Sequence, residues 1–352
     1  MKKLDCSGAV LAALAAAVLF GGSTPFAKLL VGELSPFMLA GLLYLGSGIG
    51  LGIVRLGRDR RWQRPDLLAG EWPWLLSAIA FGGVLGPLLL MIGLAHTSAA
   101  TASLLLNLEA VLTAALAWGV FQENADRRIV VGMLLIVAGG VALSWTDAGT
   151  TTAGWVGPLA IAGACLAWAI DNNLTRRVSA SDALFIASSK GLVAGSVNTG
   201  LGWLLGAPLP DVDVAVSAMV IGLLGYGVSL VLFVVALRGL GSARTGAYFS
   251  TAPFIGAAIA IVALGEATSF GFWLAATLMG MGVWLHLTER HDHEHQHEAQ
   301  FHSHRHTHDE HHQHDHDFAW DGSKPHTHPH QHLPLRHSHA HYPDIHHRHR
   351  HG

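Results

Sequence analysis

Two cysteines in 352 residues, Cys6 and Cys165, provide no disulfide framework, and the redox compartment cannot be read from them. Charge is also scarce. Asp, Glu, Lys and Arg make up 13% of the chain, and the formal net charge is −3. A soluble domain carries about twice that charged fraction, and no basic excess favours a nucleic-acid partner. There is no phosphate-binding glycine loop of the G-x-x-x-x-G-K-[ST] type, so ATP hydrolysis is not the energy source, and no constellation marks the chain as an enzyme.

What is present is apolar sequence in long runs. Hydrophobic residues make up 51% of the chain. A bilayer core about 30 Å thick needs about 20 such residues in a helix. Ten runs qualify: Gly8 to Leu30, Ser35 to Leu56, Trp72 to Ala95, Ser98 to Phe121, Ile129 to Trp145, Trp155 to Thr175, Ala183 to Leu205, Val214 to Leu237, Ala243 to Leu264 and Phe270 to Leu287. Tight turns, such as His96 to Thr97, make antiparallel hairpins of the third and fourth runs and of the eighth and ninth. The expected fold class is an all-α membrane protein of ten transmembrane helices. Lys2 and Lys3 before an apolar stretch imitate a signal peptide, but the run continues past Gly22 to Leu30 and has an internal counterpart.

Charge sets the expected orientation. With a cytoplasmic N-terminus, the inner loops carry Lys2, Lys3, Arg55, Arg58, Arg60, Arg61, Arg64, Arg127, Arg128, Arg176, Arg177, Arg238 and Arg244. The outer side holds Lys28 and the acids Asp147, Asp211, Asp213 and Glu266. This is the imbalance of the positive-inside rule. It predicts a multi-pass protein of the cytoplasmic (inner) membrane with both termini in the cytoplasm.

The chain also repeats itself. His96 to Gly140 aligns with Leu240 to Gly282, so that Ser98, Ala99 and Thr101 fall on Ser242, Ala243 and Thr245, and Glu123 on Glu266. Phe20 to Lys28 (FGGSTPFAK) sits over Trp168 to Arg176 (WAIDNNLTR). Copies of five helices each must cross the membrane in opposite senses, an inverted repeat. The expected organisation is a first five-helix repeat over 1–147, a second over 148–290 and a tail over 291–352.

At GGSTPFAK, SPF (35–37), TSAATASLLLNLEAVLTAALA (97–117) with Glu123, and LRGLGSARTGAYFSTAPFIGAAIAIVALGE (237–266), the chain resembles the EamA-type branch of the drug/metabolite transporter superfamily. The likeness spans roughly residues 8 to 288. It implies ten helices, both termini inside, a central cavity formed by helices one to four and six to nine, and transport of small organic solutes, often as efflux.

Ionisable groups inside a bilayer are costly, about 2.5 to 3.5 kcal/mol each on insertion scales, and mark functional sites. Glu109 lies eleven residues into the fourth run, about 16 Å deep. Asn107 lies at a similar depth. Glu109 suits a group that exchanges a proton or touches substrate, although packing against neighbouring helices is the competing role. The repeat does not duplicate it, since Pro253 takes the matching place. Asp171, Asn172 and Asn173 stand near the inner end of the sixth run, and Lys190 about 12 Å into the seventh. Those depths allow an Asp171–Lys190 ion pair, as an inner gate, a substrate contact or a structural link. Three consecutive polar residues point in three directions, so at least one faces the cavity. Pro25, Pro87 and Pro253 interrupt helices, Gly46 and Gly50 have the spacing of a packing face, and His96 and His286 read as interfacial rather than as ligands.

Histidine is almost absent until the tail, where 23 of the 25 lie after Arg290. His291, His293, His295, His297, His302, His304, His306, His308, His311, His312, His314, His316, His326, His328, His330 and His332 alternate with spacers, so imidazoles can converge on an ion. The segment is too polar to build a core and is expected to be disordered. Imidazole suits nickel, zinc, cobalt or copper, and protonation competes near pH 6.5. No cofactor is otherwise required.

Three functions follow: a small-solute transporter, an exporter by preference, with a metal-storing or sensing tail; a nickel, cobalt or zinc transporter whose tail collects ions; or a membrane-anchored metal buffer without transport. The partners on these readings are the lipid bilayer and a small-molecule or metal-ion substrate, with no nucleic acid. A homodimer is left open by the sequence, as are the substrate, the direction and the coupling ion.

Overall fold

The computed structural model describes residues 6–60, 67–121, 127–148, 154–178 and 181–288, and in the tail 294–297, 300–306, 326–332 and 335–338. Lys2, Lys3, Arg61, Arg64 and Glu123 lie outside the described residues.

The body is all-helical. In order it comprises α1 (Cys6–Leu30), α2 (Pro36–Asp59), α3 (Trp72–Ala78), α4 (Gly86–His96), α5 (Ala99–Leu105), α6 (Leu108–Phe121), α7 (Arg127–Ala148), α8 (Val156–Thr175), α9 (Ala183–Leu204), α10 (Val212–Gly222), α11 (Ser229–Phe249), α12 (Ala252–Leu264) and α13 (Phe270–Leu287). The starts follow local chemistry. Ser35, Ser98, Asp182 and Ser269 each accept a backbone N–H in the first turn of α2, α5, α9 and α13.

Two helices contain a wide π turn: Ile79–Leu85 joins α3 to α4, and Leu223–Val228 joins α10 to α11. Both are rich in glycine, and a π turn leaves carbonyls without their usual i+4 partner. Two other helices are broken. Residues 106–107 separate α5 from α6, and residues 250–251 separate α11 from α12. Polar side chains take up carbonyls released there: Asn107 Nδ2 donates to Leu104 O at 2.9 Å, Ser250 Oγ to Ala247 O at 2.8 Å and Thr251 Oγ1 to Tyr248 O at 2.6 Å.

The stretch Ser229–Phe249 is helical by backbone throughout, yet the rings of Phe233 and Phe249 are 4.9 Å apart. A straight helix would hold them about 24 Å apart. The chain therefore reverses between them, where the sequence places the turn between its eighth and ninth apolar runs.

Eight segments among the described residues are long and apolar enough to cross a membrane. α8 and α9, of 20 and 22 residues, are long enough. Their apolarity is diluted by Asp171, Asn172 and Asn173 on one and Lys190 and Asn198 on the other.

Helices approach closely through glycine. A Cβ on Gly48 would lie 2.4 Å from Leu192 N, and one on Gly222 1.9 Å from Leu43 O, so α2 packs backbone to backbone against α9 and α10. Gly46 fits this packing role, its Cβ direction being filled by Met219 O at 2.0 Å.

The tail departs from a structureless chain at four short stretches. β1 (Glu294–His297) pairs antiparallel with β4 (Leu335–Ser338), and β2 (Gln300–His306) with β3 (His326–His332). The alternation of His with a spacer has period two, which is also the period of a strand.

Candidate functional site

Toward its C-terminal end, α8 presents Trp168, Asp171 and Asn172 to three different neighbours. Lys190 of α9 donates to both oxygens of Asp171, at 2.7 and 2.5 Å, and Thr175 Oγ1 adds a third bond at 2.9 Å. Asn172 Nδ2 donates to Glu109 Oε1 at 2.9 Å and lies 3.5 Å from Thr113 Oγ1. Glu109 is held there because the break at 106–107 starts α6 immediately before it.

Gly82 in the first π turn completes the arrangement. Its released carbonyl accepts both Tyr44 Oη and Trp168 Nε1, each at 2.9 Å. Asn198 Nδ2 reaches the next two carbonyls, Gly83 and Val84, at 3.4 and 3.3 Å. The missing side chain at Gly82 leaves room for a carboxylate: a Cβ there would lie 1.9 Å from Asp171 Oδ2. Aromatic rings continue from this point. Tyr44 meets Tyr226 at 5.5 Å, Tyr226 meets Phe20 at 6.0 Å, and Phe20 meets Phe249 at 5.3 Å.

Among the residues singled out by the sequence, the structure joins Glu109 to Asn172 and Asp171 to Lys190. It does not bring Asn107 or Asn173 to them. Asn107 serves the break in its own helix, and Asn173 Nδ2 donates to Ala169 O at 2.8 Å, one turn back. His286 Nε2 bonds Ile129 O at 3.0 Å and links α13 to α7, and His96 is exposed at the end of α4. Tyr44, Tyr226 and Asn198 were missed. Tyrosine is rare, with four in the chain, and a polar-tipped ring in the middle of an apolar run was the available signal.

Charged side chains also tie helix ends to backbone. Glu266 accepts from Ala99 N at 2.8 Å and Ala100 N at 2.7 Å, and Lys28 Nζ donates to Thr97 O at 2.8 Å and to Leu94 O. At the start of α9 Asp182 accepts from Arg55 Nε at 3.0 Å and Arg58 Nη2 at 2.6 Å. Burial would raise the Asp182 carboxyl, but bonds from Arg58, Arg55 and Leu184 N hold it below the ordinary carboxylate range. Stability from a lowered carboxyl is present above the unfolded value of about 3.9 and is lost as pH falls through the folded value. Asp182→Asn is therefore expected to lower the midpoint of thermal unfolding in detergent at pH 7. The two curves should converge toward pH 3, and a constant gap between them would refute this account.

No group of three His, Cys, Asp or Glu converges on a metal-sized site among the described residues. In the tail, His295, His297, His302, His304, His306, His326, His328, His330 and His332 lie on the paired backbone stretches. His291, His293, His308, His311, His312, His314 and His316 lie outside the described residues.

Two stretches of the chain, 7–145 and 155–288, match the EamA-like transporter family. A protein described as an uncharacterized transporter, from Methanothermobacter thermautotrophicus, is 27% identical over 294 residues, covering 77% of this chain and 84% of its own. A solved crystal structure shares the fold with a TM-score of 0.58 at 21% identity, over 79% of this chain and 95% of that one.

Proposed function

The chain belongs to the EamA-like transporter family, and from that membership we propose that it is a ten-span secondary exporter of a small solute, with a tail that binds divalent metal. The observation that carries the transport reading is the polar cluster deep among apolar helices, Glu109–Asn172 beside Asp171–Lys190. Polar groups at that depth face an interior path rather than lipid.

An inverted repeat accounts for three features at one shift. Ile79 and Leu223 open the two π turns, Leu106 and Ser250 the two breaks, and Ser98 aligns with Ser242. Each pair differs by 144 (223 − 79, 250 − 106, 242 − 98). The double family match supports the same duplication, with repeats over 1–147 and 148–290. Five spans per copy put both termini on one side, and the Lys/Arg imbalance of the loops supports the cytoplasm of the inner membrane as that side. A reporter active only in the cytoplasm is expected to work after Arg64 and after Arg290, and one active only outside after Asp211. Outside activity after Arg290 would remove the ten-span reading.

Metal transport is the second reading, favoured by the histidine tail. Flux of organic solutes and of nickel or zinc into proteoliposomes, measured for the full chain and for a chain ending at Arg290, separates the two. For the exporter, truncation is expected to remove several bound metal ions per chain, to leave organic flux intact and to abolish any release of metal near pH 5, where imidazole is protonated. Metal flux that falls with truncation would instead establish the metal transporter. Metal retention without any flux would establish the buffer.

A further inference from the structure

On the reading that the tail binds divalent metal, its backbone pairing says which histidines act together. β2 and β3 run antiparallel with His302 opposite His330, His304 opposite His328 and His306 opposite His326, while His332 lies opposite Gln300. Successive positions of a strand alternate between the two faces of a ladder, and directly opposite positions share a face. All the histidines of these two strands therefore belong to one face. The other face takes Phe301, Ser303 and Arg305, paired with Gln331, Pro329 and Thr327.

Pro329 has no N–H to give across the ladder, so its pair with Ser303 suits a non-hydrogen-bonded position. The histidine pairs then take hydrogen-bonded positions. Opposite Cα atoms there are about 5.5 Å apart, and alternate residues of one strand about 6.8 Å, so the positions of His302, His304, His328 and His330 form a rectangle whose centre is about 4.4 Å from each corner. No apolar core is available to hold this ladder closed, because Phe301 is the one large apolar residue of β2 and β3. A two-stranded ribbon is marginal in water, and strands polar on both faces slip in register. A slip by one residue would divide the histidines between the faces, so an ion that needs both strands selects this register.

We propose that the histidine face of the β2–β3 ladder is a zinc-type site, in which His302, His304, His328 and His330 ligate one divalent ion that fastens the two strands across the connection 307–325. Imidazole is a ligand for zinc and nickel, and four nitrogen ligands at about 2.0 to 2.1 Å make the tetrahedral set of a closed zinc site. Ligands drawn from both strands tie binding to strand pairing. The pair His306–His326 and His332 continue the same face with fewer neighbours, so further ions bind there less tightly.

Exchanging two neighbours tests the ladder without changing the composition. Ser303→His/His304→Ser keeps every histidine in number and moves one imidazole to the other face. His312→Gln/Gln313→His makes the same kind of exchange outside β2 and β3. Zinc titrations of the purified full chain in detergent, read by calorimetry, compare both with the parent and with a chain ending at Arg290. The tightest zinc is expected to weaken by roughly tenfold or more in the first exchange, as for a lost ligand, and to keep its affinity in the second. Hydrogen exchange read by mass spectrometry is expected to show zinc protecting 300–306 and 326–332 together in the parent and neither in the first exchange. Equal zinc affinity in the parent and the first exchange, equal weakening in both exchanges, or no protection of the two strands in the parent overturns the ladder site while leaving a tail that binds metal. Zinc bound alike by the full chain and by the chain ending at Arg290 removes the metal-binding tail itself.

Discussion

Glu109→Gln is expected to insert and fold as the parent does, and to reduce proton-dependent flux in proteoliposomes to that of protein-free vesicles. The substitution keeps the size of the side chain and an oxygen for Asn172 Nδ2, which donates to Glu109 at 2.9 Å. It removes the ability to carry a charge or exchange a proton. A residue whose role is to hold α6 against α8 would survive the change, because the amide can still accept that bond. Flux and its pH dependence unchanged in the variant would assign Glu109 to packing.

Glu109 could be singled out before any coordinates, because an acid in an apolar run stands out. The Asp171–Lys190 pair was legible for the same reason: two opposite charges at similar depths on consecutive helices have few other ways to be accommodated. The rotation of each helix about its axis was not legible. Asn107 and Asn172 look alike in sequence, yet Asn172 reaches Glu109 while Asn107 bonds Leu104 O beside the helix break. Short amides often turn to the nearest backbone, and whether one does depends on a carbonyl released by a break or a wide turn. The string Gly82–Gly83 was equally silent. It reads as a packing surface or a hinge, whereas it forms a π turn whose carbonyls gather Tyr44, Trp168 and Asn198. The hydropathy that reveals membrane helices also weakens where the polar cluster lies. α8 and α9 are not among the eight segments apolar enough to cross a membrane among the described residues, and they carry Asp171, Asn172 and Lys190.

Asp171 and Lys190 allow a test in which stability and transport separate. Asp171→Asn leaves an ammonium in the body without its carboxylate, and Lys190→Met leaves a carboxylate with Thr175 as its remaining side-chain donor. Breaking a buried pair from one side costs about 3 to 5 kcal/mol, whereas replacing both partners by neutral groups of similar size is often close to neutral. The side chains here are 18% and 8% exposed, so the lower end of that range applies. Each single variant is therefore expected to lose about 3 kcal/mol in an unfolding titration in mixed micelles, and the double variant Asp171→Asn/Lys190→Met to lie within about 1 kcal/mol of the parent. Additive losses would mean that the two groups do not act as a pair. Flux in the double variant then decides what the pair is for. A structural link predicts normal transport once stability is restored. The position of Asp171 over Gly82, adjacent in sequence to the Asn172 that holds Glu109, predicts instead a stable protein whose flux is lost, because the bonds from Lys190 that fix this turn of α8 beside Asn172 and Glu109 are gone.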